Sequence, residues 1–149
     1  MRIHKLISTV FGIGYVSKGG GTIAALVCCV IWYLLRIDGY ATSTLLATML
    51  VLVVGIWSAN VVEQEWGIDS SKVVIDEIAG MMLSLLFIPF AISYIIAAFV
   101  LFRFFDIVKP LYIKKAEQLP GGWGVMLDDV QAGIYANLMM QGIVFFKLF

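Results

Sequence analysis

Charge is scarce in this chain. Of its 149 residues only 13% are Asp, Glu, Lys or Arg, where a soluble domain carries about 25%. Bases and acids number ten each, so no net field draws nucleic acid, and no stretch gathers the bases as a nucleic-acid groove requires. Histidine is limited to His4, near a terminus expected to be mobile, which argues against histidine-based hydrolysis and zinc ligation. Cysteine is limited to Cys28 and Cys29, adjacent within an apolar run. A vicinal disulfide is strained, so both read as small core or lipid-facing residues rather than redox or metal groups. Residues 1–18 carry Arg2, Lys5 and Lys18 but lack the compact apolar core and cleavage site of a removable signal peptide. No internal repeat or low-complexity tract appears.

What is abundant is apolar surface. Hydrophobic residues make up 62% of the chain and the mean hydropathy is +1.00, values that fit neither a soluble globule nor a disordered segment. The bilayer is the natural solvent for such a composition, and the length suits one domain. Charge-free runs at 22–35, 40–62, 78–102 and 130–146 mark the helices. The third run is too short to cross twice unaided. It reads as two helices, about 73–88 and 90–108, joined at Pro89, with one long kinked span as the alternative. The expectation is an all-α polytopic membrane bundle of about five helices, making four or five passes.

With the N-terminus inside, Arg2, Lys5, Lys18, Lys72, Arg103, Lys109, Lys114 and Lys115 lie on the inner face, and only Arg36 and Lys147 outside. That asymmetry follows the positive-inside rule. The acids share it, although the rule does not require them to. Glu63, Glu65, Asp69, Asp76, Glu77, Asp106, Glu117, Asp128 and Asp129 are inside, and Asp38 alone is outside. The chemistry is therefore expected at the cytoplasmic interface.

Four segments carry it. Asp76-Glu77 opens an apolar helix after Val73-Val74-Ile75; an ionised acid there is costly unless paired, hydrated or bound to metal. The bland alternative is a solvated helix start favoured by the dipole. Arg103 and Asp106 are spaced i, i+3, and Lys109 continues their face up to Pro110. Gly121-Gly122-Trp123-Gly124 reads as a loop that approaches a ligand closely, with Asp128-Asp129 opening the last helix and Asp128 a candidate N-cap. Ala132 and Gly133 allow close helix packing just beneath those acids. Gly19-Gly20-Gly21-Thr22 offers amides and a hydroxyl to an anion at a helix start, without the spacing of a P-loop. Glu63 ends the second helix at the same interface, where it reads first as a boundary residue. Carboxylate oxygens in this number select Mg²⁺ or a similar hard cation, which in turn selects phosphate substrates.

Phe102-Arg103-x-x-Asp106-x-x-Lys109-Pro110, followed by Gly121-Gly122-x-Gly124-Val125-Met126-x-Asp128-Asp129-x-x-Ala132-Gly133, resembles the signature of the phosphatidylglycerophosphatase A family. Asp76-Glu77-x-x-Gly80 and Gly21-Thr22 match its other blocks in the same order. The resemblance implies that residues 1–149 form a single integral membrane domain of a Mg²⁺-dependent phosphatase. It would hydrolyse phosphatidylglycerophosphate to phosphatidylglycerol at the cytoplasmic face of a bacterial inner membrane, with no obligate protein partner. Asp76, Glu77, Asp128 and Asp129, then Glu63 and Asp106, are the expected ligands and catalytic acids, and Arg103, Lys109, Lys72 and Thr22 the expected phosphate contacts. Water and one of the aspartates both stand as nucleophile. A divalent-cation transporter and a phosphatase of another phospholipid monoester are the alternatives.

Overall fold

The computed structural model describes residues 1–16, 18–68, 70–109 and 121–148. Among them the chain is all-helical: α1 (Arg2–Ser8), a 3₁₀ turn (Ile13–Tyr15), α2 (Gly20–Leu34), α3 (Thr42–Trp66), α4 (Ile75–Leu85), α5 (Ile92–Val108) and α6 (Gly122–Phe145). Asp69, Pro110, Lys114, Lys115 and Glu117, which entered the charge count and the motifs, lie outside the described residues.

The boundaries differ from the sequence expectation in four places, each with a local cause. The N-terminus is not a loose lead-in. Residues 2–8 form α1, held against α3 by a Lys5–Glu65 ion pair at 2.5 Å and a His4–Ser58 hydrogen bond at 3.2 Å. α3 runs past residue 62 because Glu63, Gln64 and Glu65 are good helix formers, and it stops at Gly67, whose φ is 85°. α4 stops at Leu85 rather than 88, leaving Pro89 inside a linker. The turn places Phe87 at φ 59° with its N–H donating to the Gly39 carbonyl at 3.0 Å. The Asn137 amide takes up the carbonyls of Leu83, Ser84 and Leu86, so the early end leaves them satisfied. α4 and α5 are thus separate helices, and the single kinked span is ruled out. Finally, the glycine-rich stretch is not a loop. Gly122 and Gly124 lie in the first turn of α6, the cap is Gly121, and Asp128 and Asp129 fall one turn further in.

From α2 to α6 the helices alternate in direction. The start of α2, the end of α3, the start of α4, the end of α5 and the start of α6 gather at one end, tied by contacts such as Gly122 N–H to Asn60 Oδ1 and Val74 N–H to the Ser8 carbonyl. The core between α2, α4, α5 and α6 is built from Cys28, Trp32, Met81, Leu85, Phe102, Ala132, Ala136 and Met140. Both cysteines are buried there as free thiols. α4 and α6 cross most closely at Gly80 and Gly133; a Cβ on Gly133 would stand 2.5 Å from the Gly80 carbonyl oxygen. Only hydrogen at both positions permits that approach.

Many large apolar side chains face outward, among them Leu46, Leu50, Val53 and Trp57 on α3. Among the described residues one helix, α3, is long and apolar enough to cross a membrane, and α2 is a shorter apolar helix.

Candidate active site

The end where the helices gather contains a polar cleft of about 320 Å³. Asp76 and Glu77 enter it from the first turn of α4, Arg103 and Asp106 from the last turns of α5, Lys109 from the residue after α5, and Asp128 and Asp129 from α6. Gly19, Gly20, Gly21 and Thr22 close the side made by the start of α2. Helix geometry explains the grouping: Arg103 and Asp106 sit one turn apart on one face, and the Gly80–Gly133 crossing draws α4 and α6 together one turn beneath their acids. Gly21 matters for the same reason, since a Cβ there would collide with the Glu77 carboxylate.

Five carboxylates therefore share the cleft with two cations, Arg103 and Lys109. The cations are already engaged. Arg103 Nη1 donates to Glu77 Oε2 at 2.9 Å and to Asp106 Oδ2 at 2.5 Å. Lys109 Nζ donates to Asp128 Oδ2 at 3.0 Å. Burial works against the Lys109 ammonium, but Asp128, with Asp106 and Asp129 behind it, outweighs that and holds its pKa above the usual lysine value. Backbone amides take two further oxygens: Glu77 N–H donates to Asp76 Oδ1, and Asp129 N–H to Asp128 Oδ1, each at 2.9 Å.

Asp129, only 2% exposed, keeps an oxygen, Oδ2, that is buried and has no hydrogen-bond partner among the described residues. One carboxylate oxygen each from Asp76, Asp128 and Asp129 lie within 4.8 Å of one another, and so do oxygens from Glu77, Asp106 and Asp129. Asp129 belongs to both triads. Excess negative charge, hard oxygen donors and an unsatisfied buried carboxylate oxygen are what a divalent-cation site presents before its ion is bound.

Two expected residues are positioned elsewhere. Lys72 holds its ammonium 5.1 Å from the Trp66 ring centroid and does not line the cleft. Glu63 lies on α3 beside Gly121, outside both triads and outside the cleft lining. Sequence reasoning passed over Ser70 and Ser71, which do line it. Their position just before the acid pair was a usable signal. It also gave Asn60 no role, whereas Asn60 anchors the first turn of α6 through Gly122.

The family model described as phosphatidylglycerophosphatase A matches residues 6–144. The chain belongs to that family. All five acids and both cations of the cleft fall within the match. A protein of Bacteroides thetaiotaomicron named "Putative phosphatidylinositol-3-phosphatase" is 44% identical over 91% of this chain and 89% of its own length. Proteins named phosphatidylglycerophosphatase A are 34% identical in Haemophilus influenzae, over 98% of this chain and 91% of that one, and 30% identical in Escherichia coli, over 95% and 81%. No solved structure matches significantly. Membership of this family makes the chain an enzyme, a phosphoric monoester hydrolase.

Proposed function

We propose that this enzyme removes the terminal phosphate of phosphatidylglycerophosphate, yielding phosphatidylglycerol, with Mg²⁺ as cofactor. The observation that carries the reading is the convergence of Asp76, Glu77, Asp106, Asp128 and Asp129 with Arg103 and Lys109 in one cleft. Asp76, Asp128 and Asp129, with Glu77 and Asp106 forming a second triad on Asp129, would hold the cation. Bound there, a hard dication would offset charge on phosphate oxygens and make a water molecule more acidic. The chain's own groups do the rest. Arg103 spends one nitrogen, Nη1, on two carboxylates, and its guanidinium lines the cleft, where it offers positive charge to a phosphate. Lys109 supplies a second positive charge in the cleft. The first-turn amides of α2 have no acceptor within that helix and suit an anion.

The setting is read as a membrane. Outward apolar side chains on α2, α3, α5 and α6 favour a single multi-pass domain over residues 1–149, with the charged end in the cytoplasmic headgroup layer of a bacterial inner membrane. An ion path is disfavoured because fully buried Met81, Phe102, Ala132 and Ala136 fill the interior beneath the acids. The name of the 44% identical relative favours a second substrate reading, in which the ester is that of phosphatidylinositol 3-phosphate. Purified protein assayed for phosphate release from phosphatidylglycerophosphate, phosphatidylinositol 3-phosphate and phosphatidic acid, with and without Mg²⁺, separates them. The proposal expects the first to be fastest by at least tenfold and chelation to abolish turnover. Faster release from the inositol lipid selects the second reading, and undiminished turnover in chelator removes the cation.

A further inference from the structure

An apolar groove of about 370 Å³ runs between α2 and α5, lined on one wall by Leu26, Val30 and Tyr33 and on the other by Ile92, Ile96 and Phe99. It lies on the same helix faces as the polar cleft. Leu26 is one turn beyond Thr22, and Phe99 is one turn before Arg103; both Thr22 and Arg103 line the cleft. Each face therefore changes from polar to apolar within about 6 Å, and the apolar stretch continues for about 10 Å at 1.5 Å per residue. At the far end Tyr33 is stacked on Phe90, with ring centroids 6.0 Å apart.

We propose that this groove holds an acyl chain of the same lipid whose phosphate enters the cleft. The inference rests on reading the chain as a phospholipid phosphatase, and it adds a second binding element to that substrate. The polar-to-apolar order along both helices matches the order within a phospholipid: phosphate, short polar linker, hydrocarbon. A tail tethered to a phosphate already in the cleft enters at a high effective concentration, an advantage no passing bilayer lipid has.

The test uses the full-length purified protein and water-soluble phosphatidylglycerophosphates with butanoyl, hexanoyl and octanoyl chains, each below its micelle concentration. Moving a methylene from water into an apolar groove is favourable enough to raise kcat/KM roughly two- to fourfold. The expected result is a rise of that size per methylene in the unaltered enzyme. It should be flattened by Ile96→Trp, which fills the groove, and by Ile96→Ala, which removes part of its wall. Val53→Trp, on the exposed face of α3 away from the groove, should keep the full rise. Thermal unfolding confirms that each variant is folded, and the Ala variant carries the test if the Trp variant is not. Equal slopes in the Ile96 variants and the unaltered enzyme would overturn the groove, as would an unaltered enzyme indifferent to chain length, the outcome expected if bulk lipid fills it. Absence of phosphate release from every member of the series would instead refute the underlying lipid-phosphatase reading.

Discussion

Asp129→Asn is the most informative single change, because Asp129 is shared by both carboxylate triads. The substitution keeps the side chain's size and removes one potential charge. At 4.8 Å, the outer limit of spacing within each triad, two ionised carboxylates repel by about 3.5 kcal/mol at an effective dielectric constant near 20. Asp129 faces four such neighbours, Asp76, Glu77, Asp106 and Asp128. Without a cation its charge therefore opposes folding, and in chelator the variant should unfold at the same temperature as the parent or a higher one. Mg²⁺ should reverse the ranking. A site at 100 times its dissociation constant gains about 2.7 kcal/mol of stability, and the variant should gain less than a third of that. Turnover should fall by at least about 100-fold, the upper end for a residue one step removed from a metal. Thermal unfolding with and without Mg²⁺, alongside phosphate release, reads both effects. A variant that keeps the parent's Mg²⁺-induced stabilisation and turns over within threefold of it would refute the assignment.

Other changes probe the supports around the site. Arg103→Lys replaces a guanidinium whose Nη1 bridges Glu77 and Asp106, leaving its other nitrogens for phosphate, with a single point charge, and phosphate release should drop by roughly 10- to 100-fold while the unfolding temperature moves little. Gly133→Ala sets a Cβ 2.5 Å from the Gly80 carbonyl oxygen, where ordinary contact begins at 3.4 Å. The helices must part by about 1 Å, a displacement that costs on the order of 100-fold in turnover when it separates catalytic groups. Asn137→Leu strands the carbonyls of Ser84 and Leu86, while that of Leu83 keeps the Leu86 N–H, and should destabilise by about 2–6 kcal/mol in thermal unfolding, at about 1–3 per unsatisfied group. Lys72→Ala should leave phosphate release within threefold, since that ammonium rests over Trp66 rather than in the cleft.

The parts of this fold readable from sequence are those set by one-dimensional pattern. Charge-free runs locate α2, α3, α5 and most of α6, because a helix without charge has few other solutions at this hydropathy. The alternation of charged and neutral ends likewise predicts that the acids meet on one side. The errors are tertiary. Nothing local announces that α4 ends at Leu85, because the partner that satisfies its last carbonyls, Asn137, is more than fifty residues away. Gly121 to Gly124 reads as a loop until Asn60 is seen to accept the Gly122 N–H and hold the first turn of α6. Lys72 and Glu63 lie in the right layer by position, yet Lys72 rests over Trp66 and Glu63 lies beside Gly121, outside the cleft lining. Axial position is legible from hydropathy, whereas azimuth around a helix that is apolar on every side is not.

That distinction explains the division of labour within the cleft. The five acids come from three helices, and no two helices would bring like charges together without an opposing attraction. Two features supply it. The Gly80–Gly133 crossing lets α4 and α6 approach closely just beneath Asp76 and Asp129, bringing the two backbones into dispersion contact. Arg103 and Lys109 then bridge to Glu77, Asp106 and Asp128 from α5 and the residue that follows it. What those two cations leave unmatched is centred on Asp129, the one cleft carboxylate with a buried oxygen lacking a partner among the described residues. Stability traded away at that point is what a divalent cation would restore.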